Sequence, residues 1–246
     1  AQVLAIVEAN KDLLSKKGSG FDANPEDMIK ALQRISDRTS ARKVSLVALD
    51  SFNLKKQDMS YCIIKDDKLK RVTVVFPHNN VALSGDWVNK RSFKMTQMKL
   101  PRTLKAKVSG DRIDSCGIHQ GFGAYLNDEL KAKIVDDLLT VVTPKYKVYV
   151  TGQGMGAPLA SLFAFHLAFH RSPLLDNQPV TCINFGSPRV GDSSYWRACQ
   201  LLEIAGKLRK CRVLTDTDAL PTVPASSDYA HAGYQLRLTT SSSASS

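Results

Sequence analysis

Residues 148–160 contain three β-forming residues (Val148, Tyr149, Val150), then glycines at 152, 154 and 156, then the apolar start of a helix. A strand, tight turn and helix in that order thrust the central turn residue above the end of a sheet. A serine placed there can attack a carbonyl. Gly152 and Gly156 let the turn close, and Pro158 falls in the first helical turn, where an amide is dispensable. The chemistry stops at the tip: Gly154 has no hydroxyl, so no acyl-enzyme forms at this position. Ser84 and Ser187 lie on no comparable glycine turn and are poor substitutes. His166 and His170 are four apart, a metal-ligand spacing. Leu167 stands where a zinc-protease motif needs glutamate, and the apolar surroundings point to packing, so no metal is expected.

The turn must be held by alternating strands and helices. Beyond Gly117 the pattern predicts a helix over residues 122–139, a strand over 146–150 and a helix over 155–170. A strand over 180–185, a helix around 195–204 and a strand over 212–214 follow. Alternation of this kind means crossover units and a mostly parallel sheet. Residues 44–47, 61–64 and 71–76 are β-rich and add strands to one side. Residues 1–42 read as a helical extension, with Asn24 and Pro25 opening its second helix. The expected organisation is that extension, one domain over residues 43–238, and a disordered Ser/Thr-rich tail over 239–246.

Five blocks in the right order resemble the class 3 (fungal-type triacylglycerol) lipase family of the α/β-hydrolase superfamily, across roughly residues 60–240. Ile118-His119-Gln120-Gly121-Phe122 resembles V-H-x-G-F, and the glycine turn resembles T-G-H-S-L-G-G. Residues 185–192, Phe-Gly-Ser-Pro-Arg-Val-Gly-Asp, match the family's block almost letter for letter. Residues 212–221 resemble R-V-x-N-x-x-D-x-V-P, and Tyr229-Ala230-His231-Ala232-Gly233 resembles Y-x-H-x-G. The resemblance implies an α/β-hydrolase fold, a mostly parallel mixed sheet flanked by helices. It puts the nucleophile position at Gly154, the acid at Asp218 (with Asp216 as the alternative) and the base at His231, in the order such a triad follows. It puts oxyanion donors at the Met155 amide and at Asn79, although Pro77-His78-Asn79 departs from the family's R-G-T/S. It places a lid around Leu83, Asp86 and Trp87, and implies acyl-ester chemistry with no metal and no organic cofactor. With glycine at 154, the expectation is a catalytically inactive homologue that binds a lipid or acyl ester, or a protein. The alternative is an acylglycerol lipase whose serine has been replaced in this chain.

The chain has 246 residues, with 34 basic against 23 acidic side chains, a formal charge of +11. Such a balance favours anionic partners. Lys90, Arg91, Lys94, Lys99 and Arg102 lie in a run without an acid, a candidate for an anionic membrane surface or an acidic protein. The run lacks aromatic interleaving, and no zinc-finger or RNA-binding signature exists, so nucleic acid is not expected. No apolar stretch is long enough for a transmembrane helix. An odd count of five cysteines without a CxxC pair favours reduced thiols, hence an intracellular or organellar protein, soluble or peripheral to a membrane.

Overall fold

The computed structural model describes residues 44–54, 57–77, 93–105, 112–170 and 178–239. The N-terminal extension, the tail, Asn79, the lid candidates Leu83, Asp86 and Trp87, and the basic residues Lys90 and Arg91 lie outside the described residues.

Among the described residues, seven of nine strands form one sheet, in which they neighbour one another in chain order with the fourth and fifth strands left out. β1 (Val44–Leu54) pairs antiparallel with β2 (Gln57–Asp66), and β2 antiparallel with β3 (Arg71–Phe76). From β3 onward the pairing is parallel, through β6 (Lys147–Gln153), β7 (Val180–Phe185), β8 (Leu208–Thr215) and β9 (Tyr234–Leu238). β4 (Met95–Lys105) and β5 (Arg112–His119) form a separate antiparallel pair. This is the mixed, mostly parallel sheet that the alternation predicts.

Among the described residues, four α-helices accompany the sheet. α1 (Gln120–Tyr125) and α2 (Asp128–Leu139) replace the single helix expected over residues 122–139. The break is chemical: the Asn127 side chain accepts the Leu130 N–H at 2.8 Å, and Asp128 and Glu129 face the new helix's positive end. α3 (Gly156–Phe169) is buried at every position except His166 and packs against β3, β6, β7 and β8. A helix that is apolar all round belongs in the centre of a domain. α4 (Ser193–Ile204) starts at Asp192, whose carboxylate accepts the Tyr195 N–H at 2.8 Å and the Gly117 N–H at 2.9 Å. One side chain therefore joins α4 to β5.

The core runs continuously between sheet and helices, from Val72, Val74, Val148 and Val150 through Leu159 and Phe163 to Tyr195 and Leu202. All five cysteines are free thiols. Among the described residues, no helix is long and apolar enough to cross a membrane.

Candidate active site

The turn between β6 and α3 is held by backbone alone. Gly154 has φ +53°, donates its N–H to the Phe185 carbonyl at 2.9 Å, and accepts from the Ala157 N–H at 3.2 Å. A Cβ at Gly156 would lie 2.3 Å from the Phe76 carbonyl oxygen and 2.4 Å from that of Pro77; one at Gly152 would lie 2.4 Å from the Gly156 oxygen. Both glycines are thus required by close backbone approach. The same contact brings the end of β3, where the segment 77–79 begins, against the start of α3.

Met155, beside Gly154, caps α3 without a side-chain bond and is buried. It lines a cavity of about 450 Å³ with His119, Phe122, Pro188, Leu220 and Val223, walls that are almost wholly apolar. Its volume lies within the range of small-molecule pockets. His119 is a residue that the motif marked without giving it a role. Its Nδ1 accepts the Gly121 and Phe122 N–H groups at 3.2 and 3.4 Å, capping α1, and burial pushes its pKa down to about 4.

Asp218 reaches the same end of the sheet. Its Oδ1 accepts the Leu220 N–H at 2.9 Å, and its Oδ2 lies against Gly186, the residue after β7, which has φ +57°. His231 is carried by the segment before β9, tied down where the Ala230 N–H donates to the Gly191 carbonyl. Its Nε2 lies 2.8 Å from the Pro221 carbonyl, and no hydrogen bond joins its ring to Asp218. Burial, with the charge of Arg212 next in effect, pushes its pKa down to about 4. The ring is therefore neutral near pH 7, and Nε2, facing a carbonyl, is the protonated nitrogen. Asp218 and His231, the expected acid and base, are thus hydrogen-bonded to backbone rather than to each other.

Of the two substitute serines, Ser84 lies outside the described residues. The Ser187 hydroxyl is buried and donates to the Pro188 carbonyl at 2.9 Å. Burial pushes the thiols of Cys62, Cys116 and Cys182 up to about 12, far from a thiolate. The ring centroids of His166 and His170 are 4.4 Å apart with the planes tilted by 34°, and among the described residues no group of three side chains is arranged to hold a metal. Lys94 and Lys99 are exposed; Lys99 borders a second cavity, of about 740 Å³, between β4, α2 and α3. Arg102 lies on β4.

Comparison with known proteins gives a consistent picture. The profile of the family described as Lipase (class 3) matches residues 82–227. Phospholipase A1-IIgamma of Arabidopsis thaliana is 26% identical over 201 residues, covering 72% of this chain and 46% of that protein. A lipase of Rhizomucor miehei is 27% identical over 186 residues, 75% of this chain and 46% of the relative. The crystal structure of the lipase from Rhizopus microsporus var. chinensis superimposes with a TM-score of 0.64 at 22% identity, covering 96% of this chain and 71% of that one. This chain spans about half the length of the curated relatives it matches.

Proposed function

Because this chain belongs to the class 3 lipase family, we propose that it binds an acyl lipid in the cavity beside Met155 without cleaving it. One observation carries the reading: the tip of the turn, where the family places its nucleophile, is Gly154 at φ +53°. With no oxygen at that point, a bound ester meets backbone amides and an apolar wall but no attacking atom. The bonding of Asp218 to Leu220 and of His231 to Pro221 supports the same reading. A base is oriented by its acid only when the two are hydrogen-bonded. The Met155 amide, with Asn79, remains the proposed polar end of the cavity, and the lid candidates Leu83, Asp86 and Trp87 its cover. The relatives' names, a triacylglycerol-type lipase and a phospholipase A1, support a long-chain glycerolipid or its fatty acid as the ligand class.

The test is direct. The full chain is incubated with a fluorescent acyl-chain analogue and, separately, with radiolabelled triacylglycerol and phosphatidylcholine. Saturable one-to-one binding of the analogue, with no fatty acid released above a blank, is expected. Release at ordinary lipase rates overturns the proposal. Absence of any acyl binding removes the lipid reading and leaves a protein-binding scaffold.

The second reading, an acylglycerol lipase whose serine has been replaced in this chain, draws its support from the intact glycines at 152 and 156 and the retained Asp218 and His231. It predicts that Gly154→Ser is sufficient to produce hydrolysis. A membrane surface or an acidic protein as partner of Lys90, Arg91, Lys94, Lys99 and Arg102 rests on charge alone. It requires binding that weakens as salt rises.

A further inference from the structure

Arg212 on β8 is 93% buried, since 7% of it is exposed, and its Nε has no hydrogen-bond partner among the described residues. The guanidinium's one acceptor is Gln235 Oε1 on the adjacent strand β9, 3.1 Å from Nη2. A buried guanidinium normally faces a carboxylate, because an uncompensated charge in a low-dielectric site is strongly disfavoured. No carboxylate among the described residues serves Arg212. Asp216 pairs with Arg237 at 3.3 Å, Asp218 accepts from the Leu220 amide, Asp228 accepts from the Ser226 hydroxyl, and Glu203 accepts from the Lys210 amide. Two further basic groups converge on the same place. Arg189, from the loop after β7, donates to the Pro224 carbonyl at 2.8 Å and, like Arg212, finds no acid. His231, whose Nε2 faces the Pro221 carbonyl at 2.8 Å, follows Ala230, which the bridge to Gly191 holds beside the loop carrying Arg189.

We propose that Arg189, Arg212 and His231 form a binding site for a phosphate-class oxyanion, with the Nε–H of Arg212 as its innermost donor. A phosphate group carries close to two negative charges and several acceptor oxygens, enough to serve two guanidinium groups and to favour a proton on the second ring nitrogen of His231. A chloride ion satisfies neither the charge nor the spread of donors. The carbonyls that hold Arg189 and His231 belong to residues 221–226, and Leu220, Thr222, Val223 and Pro224 wall the apolar cavity beside Met155. An oxyanion at this site therefore sits across one short segment from that cavity. The phosphate is either free or the headgroup of a phospholipid. The site stands whether or not the chain binds acyl groups, so hydrolysis or its absence does not decide it.

The experiment follows the Arg212 Nε–H signal in the full, ¹⁵N-arginine-labelled chain, identified as the one missing from Arg212→Gln. Inorganic phosphate is titrated in at constant ionic strength against chloride. The signal is expected to shift saturably with phosphate and not with chloride, and Arg212→Gln is expected to lose at least tenfold in phosphate affinity. If Arg212→Gln fails to fold, the His231 ring signals of the parent chain provide the readout: phosphate is expected to raise the ring's pKa. In a parallel arm, short-chain phosphatidic acid is added below its micelle concentration. Shifts with both ligands mark a site for free phosphate; shifts with phosphatidic acid alone mark a headgroup site, and both results support the proposal. No shift at Arg212 or His231 with either ligand overturns it, as does phosphate affinity unchanged in a folded Arg212→Gln.

Discussion

The carboxylate of Asp218 lies directly against Gly186: a Cβ built on that glycine would be 2.4 Å from Asp218 Oδ2. Gly186 also has φ +57°, a backbone conformation that disfavours any side chain. Two independent constraints thus make residue 186 glycine, and one of them fixes where the Asp218 carboxylate can be. Gly186→Ala is expected to cost about 2–3 kcal/mol, combining left-handed strain with displacement of a hydrogen-bonded carboxylate. Urea denaturation reads the loss. Faster amide exchange at Leu220 shows whether the Asp218 bond is the part that yields.

Asp192 serves two elements with one carboxylate, capping α4 and accepting from Gly117 on β5. Asp192→Ala leaves two amides without their acceptor, with an expected loss of about 2–4 kcal/mol. A substitution affecting only an exposed cap costs about 1 kcal/mol. Asn127→Ala, which removes the single bond to Leu130, provides that comparison in the same molecule.

Stability is expected to fall with acid in a window set by buried imidazoles. His119 is almost wholly buried, and burial pushes its pKa down to about 4 from 6.5. Between those values the unfolded chain binds the proton and the folded chain does not, so stability rises with pH through the window. The contribution is complete above about pH 6.5 and lost as pH falls towards 4. A loss of roughly 1–3 kcal/mol over that range is expected for this one group. His119→Gln is expected to flatten the pH profile of the denaturation midpoint; an unchanged slope contradicts the assignment.

The acyl cavity predicts a steric block. Leu220 lies on its wall, and the described part of its surroundings is apolar. Leu220→Trp is expected to fill enough of the 450 Å³ space to reduce affinity for an acyl-chain analogue by tenfold or more, with circular dichroism unchanged. Equal affinity in a folded variant places the lipid elsewhere.

Much of this architecture was legible because local signals and tertiary placement agree. The apolar run after Gly156 leaves α3 no stable place but the interior, and the glycine spacing marks the turn before it. The division between α1 and α2 was overlooked although its signal, Asn127 before two acids, is present; the apolar periodicity on either side concealed it. β4 and β5 are hidden for a different reason: lysines and Pro101 obscure the apolar alternation of β4, and Asp114, Ser115 and Gly117 that of β5. At the site, the tight turn between β6 and α3 is legible from its glycine spacing. The separation of Asp218 from His231 depends instead on which carbonyl each group meets after folding. The convergence of Arg189, Arg212 and His231 was likewise invisible, because only the neighbouring positions of β7, β8 and β9 bring residues so distant in sequence together.

The most direct test of the central claim is turnover of a short-chain nitrophenyl ester by the unmodified chain and by Gly154→Ser, measured side by side against a protein-free blank. The account predicts no turnover above the blank by the unmodified chain. It predicts none by the serine variant either, because Asp218 and His231 remain bonded to backbone. Burst release followed by steady turnover in the variant would support the lipase alternative. Turnover by the chain bearing Gly154 would contradict the account outright, since some group other than residue 154 would then be making the attack.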